Sequence, residues 1–269
     1  MNLELRDQVA VVVGAASGIG KAIALGFAAE GAPVAVIDRA PAVDAVAAEL
    51  TATHQVRAIS IIADVTDYPA MQAAAARIKA ELGAPEHLVF AVGMPSGKGG
   101  PPFWNLEPGD WSRCVAVNLL GAVNTAHAFV PGFVEQRRGS WLFISSVAGQ
   151  IGSQTDPPYS ASKAGLISFS QCAAKDLAPY NVRVNALCPG MVSTPLNRGV
   201  WEGQMKNLPP DQRVDFETWG AEKVKKVVPL NRWQTPEDMA NMVVFLASVR
   251  GENVTGQTIN VDGGFVMHW

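Results

Sequence analysis

Seven short apolar runs set the terms for this 269-residue chain: Val9–Val13, Pro33–Ile37, Arg57–Ile62, Leu88–Val92, Ser140–Ile144, Arg183–Leu187 and Thr258–Val261. Helical stretches separate them at 19–30, 41–52, 68–82 and 108–136, around Tyr159 and Lys163, and at 236–248. A strand with one wet face alternates polar and apolar residues; these runs are nearly continuous, so both faces of their sheet must be covered. Apolar runs alternating with helices predict an α/β chain with a doubly wound parallel sheet of about seven strands, folded as one domain over 1–269. Apolar residues at 48% and charged residues at 17% suffice for such a core.

The first strand-to-helix turn reads Val13-Gly14-Ala15-Ala16-Ser17-Gly18-Ile19-Gly20. Glycines there allow a tight turn and let a pyrophosphate approach the amides and dipole of a helix N-terminus. Asp38 ends the second strand, where a carboxylate can bind ribose hydroxyls and would repel a 2′-phosphate. Arg39 beside it could partner such a phosphate. The balance favours NAD over NADP.

Downstream, Tyr159 and Lys163 stand four residues apart in a helical stretch, so they share one face. A neighbouring ammonium favours the phenolate and lowers a tyrosine pKa toward the operating range of an acid–base catalyst. Ser146 follows the run Trp141–Ile144, at the end of a strand that opens onto the ligand crevice of a parallel sheet.

Taken together, the glycine turn, Ser146 and the Tyr159-Ser160-Ala161-Ser162-Lys163 run resemble the short-chain dehydrogenase/reductase family, in its compact single-domain branch. Asp64-Val65, Asn118 in Val117-Asn118-Leu119, Pro189-Gly190 with Thr194, and Val261-Asp262-Gly263-Gly264 match further family segments in the same order. The resemblance implies a Rossmann fold and a catalytic tetrad of Asn118, Ser146, Tyr159 and Lys163. Ser146 would hold the substrate oxygen, Tyr159 would exchange a proton with it, Lys163 would anchor the nicotinamide ribose, and Asn118 would hold a water. The cofactor would lie against Gly14, Ser17, Gly18, Ile19, Gly20, Asp38, Arg39, Asp64, Val65, Gly93, Pro189, Gly190, Val192 and Thr194, with Tyr159 and Lys163. A homotetramer is the assembly the family implies.

Two departures stand out. Where the family has threonine before the first glycine and Asn-Asn-Ala-Gly after the fourth strand, this chain has Val13 and Phe90-Ala91-Val92-Gly93. Both regions are apolar, so packing is expected to replace a polar tie.

The substrate side is less defined. Residues 191–228 are longer and less regular than a connection requires, which reads as a lid over substrate or as a surface packed on another subunit. Met94, Ser96, Gln150, Met191 and Trp201 are the expected walls, a mixture suited to a hydroxylated or ring-bearing molecule. Arg198 and Lys206 read as solvated charge.

Other classes find little support. No run of Lys or Arg exceeds a pair and the net charge is −3, which gives no footprint for nucleic acid. Cys114, Cys172 and Cys188 suggest buried thiols in a reducing compartment, and His54, His87, His127 and His268 lack metal-ligand spacing. The uncharged stretch 114–134 carries Asn118, Asn124, Thr125, His127 and Pro131, too polar for lipid, so no membrane association is expected. Charges in the opening residues 1–8 argue against a signal peptide and for a cytoplasmic protein. The leading expectation is an NAD-dependent dehydrogenase of a secondary alcohol, polyol or sugar. An NADPH-dependent reductase of 3-oxoacyl thioesters is the alternative enzyme, and a dinucleotide-binding sensor without turnover the alternative of another class.

Overall fold

The computed structural model describes residues 2–98, 103–152, 156–206 and 208–268. Asn207, within the 191–228 segment, lies outside them. All seven apolar runs are strands: β1 (Ala10–Val13), β2 (Val34–Asp38), β3 (Ala58–Ile62), β4 (His87–Phe90), β5 (Gly139–Ile144), β6 (Val182–Pro189) and β7 (Thr258–Val261). They pair in parallel in the order β3-β2-β1-β4-β5-β6-β7. The order reverses between β1 and β4, and a crevice opens outside the carboxyl ends of the strands at such a point.

Ten helices are described: α1 (Gly18–Ala29), α2 (Val43–His54), α3 (Tyr68–Glu81), α4 (Pro108–Val115), α5 (Gly121–Gln136), α6 (Ala148–Ile151), α7 (Pro157–Leu177), α8 (Pro195–Lys206), α9 (Phe216–Val227) and α10 (Pro236–Ala247). Along β1, Ala10 and Val12 pack with α1, α2 and α10, whereas Val11 and Val13 pack with α3, α5 and α7. Side chains alternate across a strand, so an all-valine run serves two cores at once. Val13 is fully buried in the same apolar cluster that Val92 packs against.

The sequence predicts one helix over 108–136. The structure divides it into α4 and α5 with a π-helical turn at Ala116–Leu120, which carries the buried Asn118. Such turns insert one extra residue into the helical register and recur at functional sites. Phe129 and Phe133 anchor α5 against the sheet.

The expectation of irregular chain over 191–228 is corrected: α8 and α9 occupy most of it. They enclose a small separate core in which Phe216 lies between Trp201, Trp219 and Trp233. The interrupting Pro209 and Pro210 belong to the link between these helices, not to their interiors.

Candidate active site

A cavity of about 950 Å³ follows the carboxyl ends of the strands. Every residue expected against a cofactor lines it, Gly14, Asp38, Lys163, Pro189 and Thr194 among them. Its floor depends on two glycines. Gly14 has φ +87°, and a Cβ there would meet the Val92 backbone nitrogen at 2.8 Å; at Gly20 it would meet the Gly14 carbonyl oxygen at 2.0 Å. The Ala16 N–H donates to Asp38 Oδ2 at 3.0 Å and the Ala40 N–H to Oδ1 at 2.9 Å, so the carboxylate braces the turn while lining the cavity. Carboxylate oxygens have further lone pairs for ribose hydroxyls. Ser17 precedes α1 without a side-chain cap, and no acid lies in the first turn. Uncapped amides of that kind suit a diphosphate. A dinucleotide therefore fits the residues present.

Ser146, Tyr159 and Lys163 share the cavity wall. Ser146 follows β5, and its Oγ accepts the Ala148 N–H at 3.1 Å. Tyr159 and Lys163 stand on α7, whose N-cap Asp156 accepts the Tyr159 N–H at 3.3 Å. Proline at the next two positions fits a helix start, where no N–H is needed. Lys163 is buried and its Nζ donates to the Ile144 carbonyl at 2.7 Å and the Val92 carbonyl at 3.1 Å, leaving one of three ammonium hydrogens for a ligand. Asn118 lies just behind the wall. Its Nδ2 donates to the Met94 carbonyl and Ser162 Oγ, and its Oδ1 accepts the Met94 N–H. An amide that clasps another strand's loop is not the self-bonded helix residue that asparagine often is.

The electrostatics correct one expectation. Lys163 Nζ lies 5.7 Å from the centroid of the Tyr159 ring, yet Tyr159 is not acidified here. Removal from water pushes its pKa up to about 12, against a hydrogen bond with Ser146 that acts in the opposite direction. The same loss of water lowers Lys163 to about 8. Burial disfavours the charged form of each group and is the largest cause of both shifts. The resting Tyr159 is a protonated phenol.

Of the expected substrate walls, Met94 and Met191 line the cavity and three others do not. Gln150 is paired reciprocally with Asn260, at 2.8 and 3.0 Å. Trp201 turns into the α8–α9 core and donates to the Val214 carbonyl at 3.0 Å. Ser96 gives its N–H to Asp156 Oδ2 at 2.8 Å and its hydroxyl to the Lys98 carbonyl. Arg198 stacks over Phe216 at 4.4 Å, away from the cavity lining. Sequence reasoning passed over Asp156, Asn197, Lys223, Lys226 and Phe265, all of which line it. Asp156-Pro157 was readable as a helix start. Lys223 was readable too, because it falls on the 216, 219, 220, 223, 224, 227 stripe that faces inward on α9.

Comparison with known proteins agrees with this geometry. The family model described as Enoyl-(Acyl carrier protein) reductase matches residues 14–266. The chain is 34% identical to the 3-oxoacyl-[acyl-carrier-protein] reductase of Thermotoga maritima, over 98% of this chain and 100% of that one. It superposes on the L-sorbose reductase of Gluconobacter frateurii, solved with NADPH and L-sorbose, with a TM-score of 0.91, 28% identity and full coverage of both chains. A 3-oxoacyl-[acyl-carrier protein] reductase of Brucella melitensis with bound NAD is 34% identical, with a TM-score of 0.83 and coverage of 99% and 95%. A nicotinamide-binding fold, a Ser-Tyr-Lys wall and these likenesses along nearly its whole length place the chain in the short-chain dehydrogenase/reductase family, as an oxidoreductase acting on CH–OH or keto groups.

Proposed function

We propose that this enzyme interconverts a secondary hydroxyl and a ketone on a small alcohol, polyol or sugar, with NAD as the preferred cofactor. The observation that carries the reading is that one cavity is lined by Asp38 together with Ser146, Tyr159 and Lys163. Asp38 supports NAD, because a 2′-phosphate would meet a carboxylate held by two backbone amides. When bound, the nicotinamide supplies or accepts the hydride.

The remaining steps belong to side chains of this chain. In the reducing direction Tyr159, protonated at neutral pH, gives its proton to the carbonyl oxygen. Ser146 donates a hydrogen bond to the same oxygen and offsets the charge that develops there. In the oxidising direction Tyr159 must first lose its proton, and Lys163 is the cation that stabilises the phenolate. Asn118 keeps Met94 in place on the cavity wall. The unit of α8 and α9, stiffened by its aromatic core, acts as the lid, and the assembly is a homotetramer, which gel filtration checks.

Reduction of a 3-oxoacyl thioester is the second reading, favoured by the Thermotoga maritima and Brucella melitensis likenesses. One experiment separates the two: fluorescence titration with NADH and NADPH, followed by a screen of secondary alcohols, polyols and sugars read by absorbance of the reduced nicotinamide. Tighter NADH binding and turnover of an alcohol with NAD support the first reading. Preference for NADPH, with turnover confined to 3-oxoacyl thioesters, overturns it in favour of the second.

A further inference from the structure

Helix α9 brings two cations to the cavity that the chemistry described so far does not use. Lys223 and Lys226 are one turn apart and both line the cavity, Lys223 half-buried and Lys226 exposed, while the exposed Lys225 between them does not line it. Residues three apart on a helix share a face. The helix cannot turn freely to hide them. Phe216, Trp219 and Val224 are buried beside them, and Gly220 lies against the Trp233 ring so closely that a Cβ would overlap it. Lys223 Nζ rests 4.3 Å from the centroid of the Trp219 ring, which fixes its stem along an apolar surface.

Neither ammonium has an acidic partner within 4 Å among the described residues, although eight other ion pairs occur there. The acids that line the cavity are committed elsewhere. Asp38 braces the glycine turn, Asp64 accepts from Thr66, and Asp156 accepts the N–H groups of Ser96 and Tyr159. Partial burial lowers the Lys223 pKa below that of a free lysine, a cost that an anion arriving beside it would offset. Val200, Val227 and Phe265 add apolar surface to the same lining, and Thr194 and Asn197 add polar groups. Two cations without an acidic partner on one cavity wall suit an anionic group.

We propose that Lys223 and Lys226 bind a carboxylate or phosphate on the substrate, so that the enzyme's preferred substrates are hydroxy acids or phosphorylated alcohols rather than neutral ones. This rests on the reading of the site as one that oxidises secondary alcohols, and it narrows the class. The same cations could instead serve the diphosphate of the dinucleotide, and the test must separate these anions.

The test compares wild type with the Lys223→Gln/Lys226→Gln double variant, using Lys225→Gln as a control. Each protein is assayed with NAD on matched pairs: 3-hydroxybutanoate against 3-hydroxybutanamide, and 4-hydroxycyclohexanecarboxylate against its carboxamide, with glycerol 1-phosphate against glycerol for the phosphate arm. NADH affinity is measured by fluorescence on the same samples. The expected result is a preference of about tenfold or more in kcat/KM for the charged member of at least one pair, equivalent to about 1.4 kcal/mol. The double variant brings that ratio close to one while NADH affinity is retained, and Lys225→Gln keeps the wild-type ratio. A preference that survives the double substitution overturns the proposal. So does a loss of NADH affinity of about tenfold, which assigns the lysines to the diphosphate. Turnover of neutral members at least as fast as charged ones overturns it while leaving the alcohol-oxidising reading intact. No turnover of any member, with NADH still bound, counts against both.

Discussion

Asn118 holds Met94 by both of its backbone polar groups, accepting its N–H at 2.9 Å and donating to its carbonyl at 3.0 Å. The clasp joins the π-helical turn to the loop after β4, and Met94 lines the cavity. A buried amide with both ends engaged fixes the position of the loop more firmly than either bond alone.

Asn118→Leu removes both bonds, leaving the part-buried Met94 N–H without this partner and the Met94 carbonyl with the weak Cys114 thiol donor at 3.4 Å. The expected loss is about 1–3 kcal/mol per unpaired group, read by denaturant unfolding. Displacement of the cavity wall should also lower kcat by up to about a hundredfold. A variant with unchanged stability and kinetics would show that the clasp is incidental.

The buried Tyr159–Lys163 pair predicts opposite pH profiles for the two directions. Below about 8 the pair holds both protons, with Tyr159 near 12 and Lys163 near 8. Ketone reduction needs that form, so its kcat/KM should be flat below about pH 8 and fall above it. Alcohol oxidation needs one proton removed, so it should rise about tenfold per pH unit up to about 8 and then level off. Lys163→Gln should abolish the step near 8 in both profiles. Parallel profiles for the two directions would contradict this assignment.

Val13 and Val92 pack into one apolar cluster where the family has a polar tie. Val13→Thr places a hydroxyl at a fully buried site. The expected cost is about 1–3 kcal/mol in urea unfolding. A marked gain in stability would mean that a polar partner is waiting there and that the matched apolar pair is wrong.

His87 links three parts of the chain, with Nδ1 accepting from Ser140 Oγ at 2.9 Å and Nε2 donating to Gln8 Oε1 at 2.8 Å, in the tautomer those partners require. Burial, with Arg183 and Arg138 nearby, lowers its pKa from 6.5 to about 3. The unfolded chain therefore binds the extra proton in that interval. Stability is fully present above about 6.5 and declines as pH falls toward about 3, by up to about 1.4 kcal/mol per pH unit from this residue. Unfolding of wild type and His87→Gln between pH 7 and 5 should show a shallower slope for the variant. Equal slopes would contradict the buried neutral imidazole.

The sheet was readable because strands buried on both faces leave uninterrupted apolar runs, and the glycine turn was readable because backbone approach excludes any side chain at Gly14 and Gly20. Other features depend on partners that a linear pattern does not name. Gln150 looks like a cavity wall by position, but Asn260, far along the chain, takes both ends of its amide. Trp201 reads as a substrate wall by position, but its ring packs on Phe216 and its indole N–H donates to the Val214 carbonyl. The pKa of Tyr159 could not be read from its spacing to Lys163, since spacing reports proximity of charge and says nothing of lost water. The lysines of α9 resemble a solvated charge run, and only the inward stripe shared with Phe216 and Trp219 separates Lys223 from Lys225.

The account turns on Tyr159 as the group that moves the proton. Tyr159→Phe keeps the ring and deletes the hydroxyl, so turnover of a substrate identified with NAD should fall by about 10²- to 10⁴-fold while the fluorescence titration with NADH is unchanged. A variant that binds NADH normally and turns over at the wild-type rate would contradict it.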